Sequence, residues 1–109
     1  MVNERARKVL QKIHEDIRRI EKFMQGVTYQ DFMINDEKQH SVAMVFAKIG
    51  ELAKLLPQEN FHSMPIREMI DTRNIITHKY GKLDFLVIWD TIHTDIPNLK
   101  IQIENMLSN

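Results

Sequence analysis

Cysteine is absent from the 109 residues of this chain. Its absence excludes disulfides, thiolate nucleophiles and zinc sites built on cysteine. A chain without cysteine fits a reducing compartment, so we expect the protein to be cytoplasmic. No apolar run approaches the ~20 residues that a membrane span requires. The N-terminal segment alternates charged and apolar residues, so we expect neither a signal peptide nor a membrane partner.

A net charge is also absent, because fifteen Lys and Arg residues balance fifteen Asp and Glu residues. A neutral chain lacks the broad positive field that drives non-specific nucleic-acid binding. Such a role would need a local basic cluster or a cleft shared between subunits. One basic cluster lies in the first 22 positions: Arg5, Arg7, Lys8, Lys12, Arg18, Arg19 and Lys22. Acidic residues alternate with it, and we therefore interpret the segment as a solvated helix face; they are Glu4, Glu15, Asp16 and Glu21.

Glycine and proline are scarce, with three of each, and most of them lie at or near the ends of segments that have helical periodicity. Apolar residues recur every three or four positions in a long first helix, which Gly26 closes. The same pattern predicts a second helix that Pro57 stops. A third helix is predicted to start at Ser63 and Pro65 and to stop at Gly81, because proline is tolerated in a first helical turn.

The C-terminal third of the chain continues the helical pattern. Asp84 is predicted to cap a fourth helix, and Asp95 and Pro97 to open a last one. The segment from Thr28 to Ile34 is predicted to form a short helical turn. These elements predict a single all-α domain over residues 1–109, an antiparallel up-down four-helix bundle with an additional short helix.

The third helix carries an arginine inside its apolar stripe. At about 100° per residue, three isoleucines lie within about 60° of Arg73; they are Ile66, Ile70 and Ile76. A guanidinium keeps its charge, so it must be paired or must line a wet cleft. The geometry alone leaves both open, and Glu51 or Asp71 could supply the carboxylate of a buried ion pair.

Asn74 and His78 lie one turn apart on the flank of the same helix. Together with Arg73 they supply a fixed cation, an amide donor and a group that titrates near neutrality. This set is suited to a phosphodiester, because arginine matches phosphate oxygens and histidine transfers protons near neutral pH. We expect no metal or cofactor, since the four other histidines are scattered and no metal-binding motif or glycine-rich phosphate loop occurs.

A specific motif accompanies these residues. The sequence from Arg73 through His78 to Tyr80 has the form R-x4-H-x-Y and resembles the signature of HEPN-domain proteins, specifically the HepT-like toxins. Two further segments are similar to this subgroup, IGELAK at 49–54 and VIWDTIHTDIPNLKIQI at 87–103. The resemblance departs from the family at Ile66, where many relatives carry tryptophan.

The resemblance implies a helical homodimer that places two Arg–His motifs across a shared cleft. It also implies metal-independent RNA cleavage, with Arg73 and His78 as catalytic residues and Asn74 as a supporting residue. The implied partner is a nucleotidyltransferase antitoxin that adenylylates Tyr80, as in a type VII-like toxin–antitoxin pair.

Two other interpretations stay open from the sequence. The chain could be a non-catalytic nucleotide- or partner-binding helical subunit of a minimal nucleotidyltransferase. It could also be a structural dimerisation module in which Arg73 forms a buried ion pair. A gene for a small nucleotidyltransferase beside this one would favour the toxin or the non-catalytic subunit over the structural module.

Overall fold

The computed structural model describes residues 3–57 and 85–108. Within these ranges the chain forms five α-helices and no strand. They are α1 (Glu4–Met24), α2 (Tyr29–Ile34), α3 (Asp36–Ala53), α4 (Phe85–His93) and α5 (Asp95–Leu107). The predicted all-α class, a helical bundle with an additional short helix, is confirmed. The predicted third helix, between Ser63 and Gly81, lies outside the described residues, and the single domain over 1–109 stays a prediction.

Local chemistry sets both ends of α1. The Asn3 side chain accepts a hydrogen bond from the Ala6 backbone N–H at 2.8 Å, which satisfies a donor that has no partner within the helix. Gln25 is extended, and Gly26 follows with φ +73°, in the left-handed region that favours glycine. Gly26 therefore closes the helix as predicted.

The predicted turn at Thr28–Ile34 is a complete short helix. Thr28 and Asp31 form a capping box, in which each side chain accepts a hydrogen bond from the other residue's backbone N–H. Asn35 then ends α2 and caps α3, because its Oδ1 accepts from the Lys38 N–H at 2.9 Å. The buried Gln39 donates from Nε2 to the Phe32 carbonyl at 2.8 Å, which connects α2 to α3.

The core draws on all five helices. α1 packs against α3 and α5, α2 against α3 and α4, and α4 against α5. Nineteen apolar side chains of the described ranges are buried, among them Leu10, Ile17 and Phe32 at 0% exposure. The described helices are all too short or too polar to cross a membrane.

Candidate functional site

The residues of the predicted site lie in the segment that joins α3 to α4. Arg73, Asn74, His78 and Tyr80 are outside the described residues, so their positions and roles stay predictions. The helices on either side of that segment are well packed. α3 contributes core residues as far as Ala53, and α4 contributes Ile88 and Ile92.

A buried carboxylate joins α1 to α3. Asp16 is 1% exposed, and its Oδ1 lies 3.4 Å from Arg19 Nη1 and 3.4 Å from Lys48 Nζ. Its Oδ2 is buried and has no hydrogen-bond partner within the described ranges. A buried charge is costly unless it is paired, so these two cations supply its compensation. Both cations stay half-exposed, at 51% for the Arg19 side chain and 55% for Lys48.

This geometry corrects part of the sequence interpretation. The solvated-face interpretation is right for Glu4, Glu15 and Glu21, which are exposed, but wrong for Asp16. The helical periodicity contained the signal for this burial. At about 100° per residue, Asp16 falls about 20° from Val9 and is therefore on the apolar face.

The burial of Asp16 leaves cations in excess on the outer surface of α1. A shallow open groove there is lined by Glu15, Arg18, Arg19, Lys22 and Phe23. Three of these five side chains are basic and one is acidic. Asp16, Arg19 and Lys48 form a cluster that shares Arg19 with this groove. The groove and the cluster together form a basic surface that extends from α1 onto α3.

Polar contacts hold α5 against α1. Lys100 Nζ bonds to Glu21 at 2.9 Å, Arg7 Nη1 donates to the Leu107 carbonyl at 2.9 Å, and His14 Nε2 lies 2.9 Å from Glu104 Oε2. The hydrogen bond with His14 holds the pKa of the Glu104 carboxyl below its ordinary value. Because the lowered pKa favours the charged form, this contact stabilises the fold above the ordinary carboxyl pKa and is lost as pH falls through the lowered value.

The two other histidines of the described ranges make contacts within their own helices. His40 Nδ1 donates to the Asp36 carbonyl and His93 Nδ1 to the Trp89 carbonyl, both at 2.8 Å. Among residues 3–57 and 85–108, no three His, Asp or Glu side chains lie close enough together to hold a metal ion.

An aromatic cluster fixes α2 against α4, the helix that follows the predicted motif. The Trp89 ring lies 4.1 Å from the His93 ring, 5.4 Å from Tyr29 in an edge-on arrangement and 5.7 Å from Phe32, measured between centroids. Phe32 is fully buried, whereas Tyr29 is 43% exposed. Such aromatic pairs stabilise a fold beyond the area they bury, so they help to hold α4 against α2.

Comparison with known proteins identifies the family. A family model described as "Ribonuclease HepT-like" matches residues 13–106. A Thermococcus cleftensis protein named "Probable ribonuclease HepT" is 34% identical over 100 residues, covering 89% of this chain and 91% of that protein. A Methanocaldococcus jannaschii protein named "Putative RNase MJ1380" is 29% identical over 98 residues, covering 87% and 90%. No solved structure is significantly similar to this chain.

The family match covers most of the chain. It begins within α1, ends within α5 and includes the segment from 73 to 80 that carries the R-x4-H-x-Y motif. The relative from Thermococcus cleftensis matches over nearly the full length of both chains. The chain therefore belongs to the HepT-like ribonuclease family.

Proposed function

We propose that this protein is a metal-independent endoribonuclease, the toxin of a type VII-like toxin–antitoxin pair that acts in the cytoplasm. The observation that carries the proposal is the intact motif of Arg73, His78 and Tyr80 in a chain that matches the HepT-like family over residues 13–106. The names of its relatives, which refer to ribonucleases, support RNA as the substrate.

The proposed chemistry uses the ribose itself as the nucleophile. His78 takes the proton from the 2′-hydroxyl as the 2′-oxygen attacks the adjacent phosphorus, or it protonates the leaving 5′-oxygen. Arg73 binds the scissile phosphate and stabilises the charge that develops on its oxygens. Asn74 orients His78 or the phosphate. The bond from phosphorus to the 5′-oxygen breaks, which leaves a 2′,3′-cyclic phosphate and a 5′-hydroxyl.

The cleavage reaction itself is the first test. Purified protein incubated with total cellular RNA should produce fragments at the same rate with and without excess EDTA, because no step in the proposal uses a metal. The fragments should end in a 2′,3′-cyclic phosphate or its hydrolysis product. Loss of cleavage on chelation, with activity restored by a divalent cation, would contradict the metal-independent mechanism.

The proposed catalytic unit is a homodimer with two motifs across one cleft. The predicted position of Arg73 within an apolar helix face supports this arrangement, because a charge buried in a bundle core costs several kcal/mol unless it is paired. A cleft shared by two chains would also bring their basic residues together, which gives a local positive field although each chain has no net charge. Light scattering should therefore report twice the mass of the 13.0 kDa chain at micromolar concentration. A monomer that cleaves RNA would remove the shared cleft from the proposal.

We propose Tyr80 as the site of regulation by a cognate nucleotidyltransferase antitoxin. Adenylylation would place a phosphodiester, with one new negative charge, two residues from His78 in the sequence. A phosphate beside an arginine forms charge-assisted hydrogen bonds, so the group would occupy the place of the substrate phosphate and block RNA.

Co-expression with the nucleotidyltransferase should add one or more AMP groups to the peptide that contains Tyr80 and silence cleavage. Tyr29 is the matched control, because it is the other tyrosine of the chain and is 43% exposed. The Tyr80→Phe variant should stay active in the presence of the antitoxin, whereas Tyr29→Phe should be silenced like wild type. Mass spectrometry that locates AMP on Tyr29 alone, or on neither tyrosine of a silenced protein, would refute this assignment.

A further inference from the structure

We propose that Arg19 and Lys48, held together by the buried Asp16, bind the RNA backbone outside the cleavage motif. This site would lie on the surface shared by α1 and α3, and Arg18 and Lys22 would extend it along α1. The inference rests on the proposed ribonuclease function, because it assigns a second contact to the same substrate. It requires no new chemistry at the cleavage site.

The geometry of the cluster is the first argument. A guanidinium from α1 and an ammonium from α3 would repel each other, yet both lie 3.4 Å from one carboxylate oxygen. Asp16 is 1% exposed and belongs to the packed face of α1, so it holds this oxygen in a fixed position. The structure therefore places two cations from different helices side by side.

The donors left over by Asp16 are the second argument. Arginine has five N–H donors and lysine three, and each side chain directs one nitrogen at the carboxylate. Because the Arg19 and Lys48 side chains are about half-exposed, their other donors are accessible from water. Guanidinium and ammonium groups are the common partners of backbone phosphates.

The charge of the surrounding surface is the third argument. Arg18, Arg19, Lys22 and Lys48 are accompanied by Asp16 and Glu15, four cations and two carboxylates in a chain with no net charge. Binding to a polyanion needs such a local excess, since the whole molecule does not provide one. An RNA strand presents one phosphate per nucleotide and can therefore contact both the cation pair and the groove.

The test is binding of a non-cleavable RNA, a fluorescent oligonucleotide of about 12 nucleotides with 2′-O-methyl riboses, at several salt concentrations. The Arg19→Gln/Lys48→Gln variant should bind roughly tenfold more weakly than wild type, since it loses two charged donors. The slope of log K against log salt concentration should become shallower by about 1.4, the value for two phosphate contacts with a single strand.

The matched control is Lys8→Gln/Lys54→Gln, which removes the same charge from α1 and from the residue that ends α3. Lys8 and Lys54 form surface ion pairs with exposed partners, at 4.0 Å to Glu4 and 3.9 Å to Glu51. This control should lose less than about threefold in RNA affinity.

The charge-preserving variant Arg19→Lys/Lys48→Arg should keep the RNA affinity and salt dependence of wild type. Thermal melting checks that each variant is folded. If the double glutamine variant fails to fold, Lys48→Gln alone replaces it, because Arg19 then still compensates Asp16.

Each outcome decides the proposal. Equal weakening in the cation-pair variant and the control would mean that net charge alone matters, and would overturn it. Unchanged RNA affinity in the cation-pair variant would also overturn the proposal, even if the protein cleaves RNA. If that variant keeps its RNA affinity but loses binding to the antitoxin, the surface binds an acidic protein instead. Conversely, the cation-pair variant could lose RNA affinity more than the control does while the wild-type protein cleaves no RNA. That result would support the binding surface and refute the catalytic proposal.

Discussion

The His78→Ala variant is expected to cleave RNA about 10² to 10⁴ times more slowly than wild type, the usual cost of removing a positioned proton-transfer group. The Arg73→Ala variant should lose about 10² to 10³, the cost of removing a donor that stabilises developing charge. Single-turnover rates on one defined RNA measure both effects. The two losses should not add fully in the double variant, because both residues act in one step.

His40→Ala is the matched control for the histidine substitution. His40 is exposed, lies outside the motif and bonds through Nδ1 to the Asp36 carbonyl within its own helix. The His40→Ala variant should therefore cleave RNA at the wild-type rate. A folded His78→Ala protein that cleaves as fast as wild type would refute the assigned role and favour the interpretation as a non-catalytic subunit.

The Phe32→Ala variant is expected to lower the free energy of unfolding by about 3–5 kcal/mol, as for other buried aromatic residues. Phe32 is 0% exposed, and its ring centroid lies 5.7 Å from that of Trp89. Truncation would leave a cavity between α2 and α4. A domain is stable by only about 5–15 kcal/mol, so the loss is a large part of the total. Urea denaturation followed by the fluorescence of Trp89, the single tryptophan, measures it.

Ile34→Ala provides the comparison in the same short helix. Ile34 is 84% exposed, so its truncation should change the free energy of unfolding by less than about 0.5 kcal/mol. If both variants lose the same amount, the loss does not come from the packing of Phe32.

Periodicity and turn chemistry predicted most of the described fold because both are local. The apolar spacing from Ala6 to Ile20 places these residues on one face of α1, and Gly26 adopts the positive φ that such a stop requires. The helix α2 was predicted as a turn, although its capping box could be read from Thr28 and Asp31. Its length depends on packing by Phe32, which a short local pattern does not contain.

The sequence predicted the motif of the candidate site but not the buried carboxylate of Asp16. The spacing of Arg73, His78 and Tyr80 is a local pattern, and it identified the family that the comparison confirmed. Asp16 was misassigned because its compensation comes partly from Lys48 on another helix. Pairing between helices depends on the tertiary fold, so a run of mixed charges gives no direct sign of it.

Asn35 has a consequence for how the molecule unfolds. Its backbone N–H bonds to the Phe32 carbonyl at the end of α2, while its side chain caps the start of α3. A six-residue helix is too short to persist in isolation. Since one residue terminates α2 and initiates α3, fraying of the short helix would also loosen the first turn of the longer one. The amide protons of α2 and of the first turn of α3 should therefore exchange with solvent in a single cooperative opening.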